Sequence, residues 1–112
     1  MPFDALEVAL ELAAALREPL GRLRHHDRDL YGQARRAASS IALNLEEGRR
    51  RAGQDRIQLF RVALGSAGEL RAALRLAVAW GLLDGAALDP ALALLDRILA
   101  MSYRLAHGRP RR

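Results

Sequence analysis

The sequence predicts an all-α domain, an antiparallel up-down-up-down four-helix bundle, on three observations. Ala and Leu supply 44 of the 57 apolar residues while Val and Ile together supply six, a balance that favours helix over sheet. Apolar residues recur at steps of three and four along four separate stretches, which is the period of one helical face. The polar segments between those stretches are short, so consecutive helices must turn back on one another. At 112 residues the chain is about one domain. It is long enough to bury a real core without cross-links, with residues 1–106 as the bundle.

The first helix is expected from about Asp4 to Leu23, with Asp4 as N-cap and Phe3, Leu6, Leu10, Ala13, Leu16 and Leu20 on the core stripe. Pro19 should end or bend it near Glu18. The polar segment from Gly21 to Arg28 is the first connection. Asp27 or Asp29 then caps a second helix whose seam is Leu30, Ala34, Ala37, Ile41 and Leu45. Gly48 and the arginines after it are its stop signal, because glycine tolerates a left-handed backbone and cations suit a helix C-terminus. The third helix is the most regular: Phe60, Ala63, Ala67, Leu70, Leu74, Ala77 and Gly81 alternate at steps of three and four. It should run from near Gln54 to Trp80-Gly81, roughly 40 Å. After a loop from Leu82 to Leu88, Asp89-Pro90 is an N-cap followed by proline at the first helical position. The fourth helix then carries Leu88, Leu92, Leu95, Leu99 and Ser102 to about Ala106. Residues 107–112 form a Gly, Pro and Arg tail, expected to be disordered.

Two helices carry a second apolar stripe: Val8, Leu12 and Ala15 on the first, and Ala91, Leu94, Ile98 and Leu105 on the fourth. A helix in a monomeric bundle needs roughly a 100° apolar face, and residues beyond it would lie exposed. Self-association is the simplest remedy.

The chain has no cysteine, which excludes disulfides, a thiolate nucleophile and sulfur-ligated zinc. The N-terminus lacks a basic n-region and a cleavage site, and no long uncharged apolar run is present. The expectation is a soluble cytoplasmic protein without membrane association.

A search for catalytic or metal-ligating groups finds little. His25 and His26 are adjacent and precede Asp27, but helix neighbours point about 100° apart, whereas metal-binding pairs sit three or four residues apart. His107 stands alone near a chain end. No phosphate-binding glycine loop, nucleophile elbow or paired metal histidines occur. The expectation is therefore no enzyme, no cofactor and no metal.

All 18 basic residues are arginine against 13 acids, a formal net charge of +5. On one reading a GC-rich genome explains both the arginine in place of lysine and the surplus charge, without functional cause. On the other reading the surplus charge serves an anionic partner. The densest runs are Arg35-Arg36 and Arg49-Arg50-Arg51, with Arg56 following. Helix-end complementarity and a solvated surface explain them on one reading. On the other they are a phosphate-binding surface, since guanidinium grips phosphate oxygens bidentately. With only five aromatic residues, backbone and shape recognition would outweigh base stacking.

On the second helix Gln33, Arg36, Ser40, Asn44 and Glu47 share a polar face, and on the third Gly65, Gly68 and Ala72 form a small-residue strip near Arg61 and Glu69. Each interior glycine costs about 0.8–1 kcal/mol relative to Ala, which suggests a close backbone contact. The expectation is that these two faces meet, with Arg36–Glu69 or Glu47–Arg61 as ion pairs.

The segment from Gln33 to Gly48, QARRAASSIALNLEEG, resembles the signature written around QIRRAAxSIPSNIAEG of a small bacterial family, the four-helix bundle or large-subunit ribosomal RNA intervening-sequence proteins. Phe60 followed by Ala63-Leu64-Gly65-Ser66-Ala67-Gly68-Glu69-Leu70 is similar to its second block, FLxxALGSLxEL. Ala34, Ala42, Leu43 and Glu46 depart from the usual Ile, Pro, Ser and Ala. The resemblance implies a homopentameric barrel of four-helix bundles. One branch, the accessory variability determinants of diversity-generating retroelements, binds nucleic acid and partners a reverse transcriptase. The resemblance gives weight to Arg35, Arg36, Asn44, Glu47, Gly65, Ser66 and Glu69. The functional expectation is an oligomeric nucleic-acid-binding accessory protein; the alternative is a scaffold that recruits a protein partner.

Overall fold

The computed structural model describes residues 3–108, which form four helices: α1 (Asp4–His26), α2 (Arg28–Arg49), α3 (Gly53–Ala79) and α4 (Gly85–His107). The last four residues of the expected tail, 109–112, lie outside the described residues. Each helix packs on two neighbours, α1 on α2 and α4, and α3 on α2 and α4, with α2 and α3 sharing the most extensive seam. The result is a rod of 49 × 22 × 20 Å.

The helix α1 is longer than expected. Pro19 lies inside it, although an interior proline costs about 3 kcal/mol through its missing hydrogen bond and ring clash. Leu16 and Leu23 on either side are fully buried, and burying two leucines returns roughly 1.5–3 kcal/mol each, so packing carries the helix through. The expected loop from Gly21 to Arg28 shrinks to one residue. The Asp27 N–H closes α1 on the Leu23 carbonyl at 2.8 Å, and its carboxylate caps α2 by accepting from Leu30 N at 2.9 Å. Asp4 is the first helical residue rather than the N-cap, which is Phe3 without a side-chain bond.

The stop of α2 also differs. Gly48 stays helical and buried. The left-handed positions fall instead at Gly53 (φ 63°) and Gly81 (φ 74°). Gly81 completes a Schellman ending on α3: Leu82 N bonds Ala77 O at 2.8 Å and Gly81 N bonds Val78 O at 2.9 Å. The start of α4 comes earlier than Asp89-Pro90 predicts, because Asp84 caps it through Ala86 N at 3.2 Å. Pro90 then sits within the helix, between the buried Leu88 and Ala91.

The expected seam of α2 is the buried one, and so is that of α3 from Phe60 to Ala77, whereas Gly81, expected to continue it, is exposed beyond the helix end. The α1 stripe is corrected: Ala5, Val8, Ala9, Leu12, Leu16 and Leu23 face the core, while Leu10 is exposed and Leu6 and Leu20 only half-buried. On α4 the core draws from both stripes, Leu88, Ala91, Leu95, Ile98, Ser102 and Ala106. Ser102 Oγ is buried without a hydrogen-bond partner among the described residues.

Candidate nucleic-acid interface

Charge is divided unevenly over the bundle. Residues 28–79, which hold α2 and α3, contain ten arginines and five carboxylates, whereas residues 4–27 contain three arginines and five carboxylates. The α2–α3 half therefore carries the positive field, and α1 is mildly acidic.

The five arginines of the two runs and Arg56 do not form one cluster. Arg36 is exposed on α2, and its guanidinium lies over Gly32, with Nη1 3.1 Å from the place a Cβ on Gly32 would take. Glycine at 32 leaves that space open. Arg49 donates from Nε to Glu46 at 2.6 Å, and Arg51 pairs with Glu47 at 2.8 Å and with Asp55 at 3.9 Å. Arg56 rests over the Phe60 ring, 5.4 Å from its centroid. Arg35 turns towards α1 and lines an apolar groove with Leu16, Leu20 and Leu43. Arg36, Arg50 and Arg61 are thus exposed guanidiniums that join no ion pair among the described residues. Arg36 and Arg50 stand at opposite ends of a stretch of about 21 Å along α2, a span that reaches several phosphates of a strand.

The polar face of α2 does meet α3, but not at the glycine strip. Asn44 Nδ2 donates to the Ser40 carbonyl at 2.8 Å and to Ser40 Oγ at 3.0 Å. The Ser66 hydroxyl donates across the seam to Ser40 Oγ at 2.7 Å. Gly65 and Gly68 are exposed, and a Cβ on either would meet nothing within 4 Å, so the expected close approach is not made among the described residues. Neither expected ion pair forms among the described residues. Glu47 is taken by Arg51, Glu69 is exposed, and the ion pair between helices is Arg71–Asp96 at 2.8 Å, joining α3 to α4.

The close approach is at Gly48. A Cβ there would lie 2.6 Å from Phe60 Cε1, and Phe60 in turn stacks on Phe3 with centroids 6.1 Å apart. The signal was present in the sequence, since Gly48 continues the α2 core stripe three residues after Leu45. His107 stacks on Tyr103 at 4.3 Å in the last turn of α4. Among the described residues no three His, Asp or Glu side chains gather as metal ligands, and no helix is long and apolar enough to cross a membrane.

The QARRAASSIALNLEEG stretch lies on α2 and meets the ALGSAGEL stretch on α3 through Ser40 and Ser66. The profile of the 23S rRNA-intervening sequence proteins matches residues 3–104. The chain belongs to that family. Neither a curated protein nor a solved structure matches it. For this 23S rRNA-intervening sequence protein the match spans all four helices up to the last turn of α4, so the α2–α3 basic half and the acidic α1 lie inside the family domain.

Proposed function

We propose that this chain is a non-enzymatic, oligomeric nucleic-acid-binding accessory protein that grips phosphate backbones with the α2–α3 half of its bundle. The observation that carries the reading is a surplus of exposed arginines without carboxylate partners among the described residues, Arg36, Arg50 and Arg61 among them, on the half with twice as many arginines as acids. Arg49 and Arg51 border that set and are free to exchange their carboxylate partners for phosphate, because exposed ion pairs are worth little, and the exposed Arg56 has no carboxylate partner to give up. The helices run alternately up and down, and copies assemble into a ring, five in number as the family resemblance implies. In a ring the basic surfaces repeat about one axis and their fields add. The nucleic acid so held is an element of ribosomal RNA or a template handed to a reverse transcriptase.

The test is fluorescence anisotropy of the purified oligomer against labelled structured RNA, duplex DNA and a single strand, each titrated with salt. Phosphate gripping predicts binding that falls steeply and linearly in log salt with little sequence preference. Affinity that is retained at high salt, or absent at low salt, would count against it.

A further inference from the structure

The valley between α1 and α2 is apolar. Leu16, Leu20, Ala42 and Leu43 line a cavity of about 390 Å³ there. Leu43 is 68% exposed and Leu10, one turn before Ala13 of the same cavity, is 50% exposed. A single ionisable side chain lines the groove, Arg35, and it joins no ion pair among the described residues.

We propose that this groove docks an amphipathic helix of a partner protein, one that carries bulky apolar anchors and a carboxylate placed against Arg35. Two parallel ridges with an apolar floor accept a third helix in the way helix-in-groove complexes do, with anchors at i, i+4 and i+7. From Leu10 to Leu20 the valley runs about 15 Å, close to three turns of such a helix, and its volume accommodates two or three aliphatic side chains. Charge selects the partner's chemistry: a lone cation beside an apolar floor favours an acidic helix and disfavours a basic one. A phosphate backbone would leave the leucines uncovered, so this surface is separate from the basic α2–α3 face and goes beyond the nucleic-acid reading.

The probes are two labelled four-turn helical peptides, identical in their leucines at i, i+4 and i+7, one with glutamates beside them and one with lysines. The glutamate peptide is expected to bind the native oligomer at least ~10-fold more tightly than its lysine twin. Leu43→Glu, a change at an exposed position, should lower that affinity ~10-fold or more, the scale of a central anchor. Arg35→Glu should weaken the glutamate peptide and strengthen the lysine one. Binding of labelled RNA and the mass of the assembly should both be unchanged in Leu43→Glu, which separates failure here from failure of the nucleic-acid reading. Equal binding of the two peptides, binding of neither, or indifference to Leu43→Glu would overturn the proposal. So would a change in assembly mass in Leu43→Glu, which would mean that a second copy covers the groove.

Discussion

Replacing Gly48 by Ala should destabilise the bundle, while the same change at Gly68 should stabilise it, although both glycines are helical. In a helix interior Gly→Ala gains about 1 kcal/mol from backbone entropy. At Gly68 nothing lies within 4 Å of the new Cβ, so that gain stands alone. At Gly48 the Cβ falls 2.6 Å from Phe60 Cε1 and 2.8 Å from Cδ1, and the ring is 1% exposed, so it must yield by about 1 Å against its neighbours. Overpacking of that kind costs about 1–3 kcal/mol, which outweighs the helical gain by up to about 2 kcal/mol. For a chain of this size 1 kcal/mol moves Tm by about 4 °C. Thermal melts at one fixed protein concentration should therefore show Gly68→Ala about 4 °C higher than the native chain and Gly48→Ala lower by as much as about 8 °C. Combining Gly48→Ala with Phe60→Leu should cost less than the two changes added, because the second makes the room the first needs. If Gly48→Ala raises Tm as much as Gly68→Ala does, the Phe60 ring does not abut Gly48 and the packing reasoning is refuted. If Gly68→Ala lowers Tm or disperses the oligomer, another copy packs on that strip.

Asp27→Ala removes the only side-chain cap of α2 and should cost about 1 kcal/mol, read as a Tm lower by roughly 4 °C; an unchanged Tm would mean the one-residue corner is held by backbone alone. Ser40→Ala deprives the Ser66 hydroxyl of its acceptor across the α2–α3 seam and should destabilise by about 1–3 kcal/mol in a urea melt. Its companion Ser66→Ala should be milder, since Ser40 keeps Asn44. Ser102→Ala removes a buried hydroxyl that has no partner among the described residues and gains helix propensity, so it should raise Tm by about 4 °C or more; a lower Tm would show that Ser102 bonds a buried water.

The seams of α2 and α3 were legible because Leu30, Ala34, Ala37, Ile41 and Leu45 on one and Phe60, Ala63, Ala67, Leu70, Leu74 and Ala77 on the other keep unbroken steps of three and four. On α1 two stripes compete, and a period alone does not say which one faces inward. The bundle chooses the stripe that mixes Ala5 and Ala9 with Val8 and Leu12, and leaves Leu10 outside. Pro19 and Pro90 read locally as boundaries, yet the buried leucines around them carry the helices through, a tertiary effect that local signals do not contain. Gly65 and Gly68 signalled a close approach that the described residues do not make, whereas Gly48, read as a stop, is the glycine that a neighbouring ring requires. The arginines were legible as a surplus only. Which of them are free depends on carboxylates three and four residues away, as Glu46 and Glu47 show by taking Arg49 and Arg51.

Whether Arg36, Arg50 and Arg61 hold phosphate is read most directly from the salt dependence of RNA binding, measured for the native oligomer and for the variant with all three changed to Ala, each checked for assembly mass. Every phosphate that is no longer neutralised should lower the slope of log affinity against log salt by about 1. The expected result is an intact assembly, weaker binding and a slope shallower by about 3 per chain engaged. An intact variant that binds RNA with the native affinity and slope would contradict phosphate gripping by these three arginines.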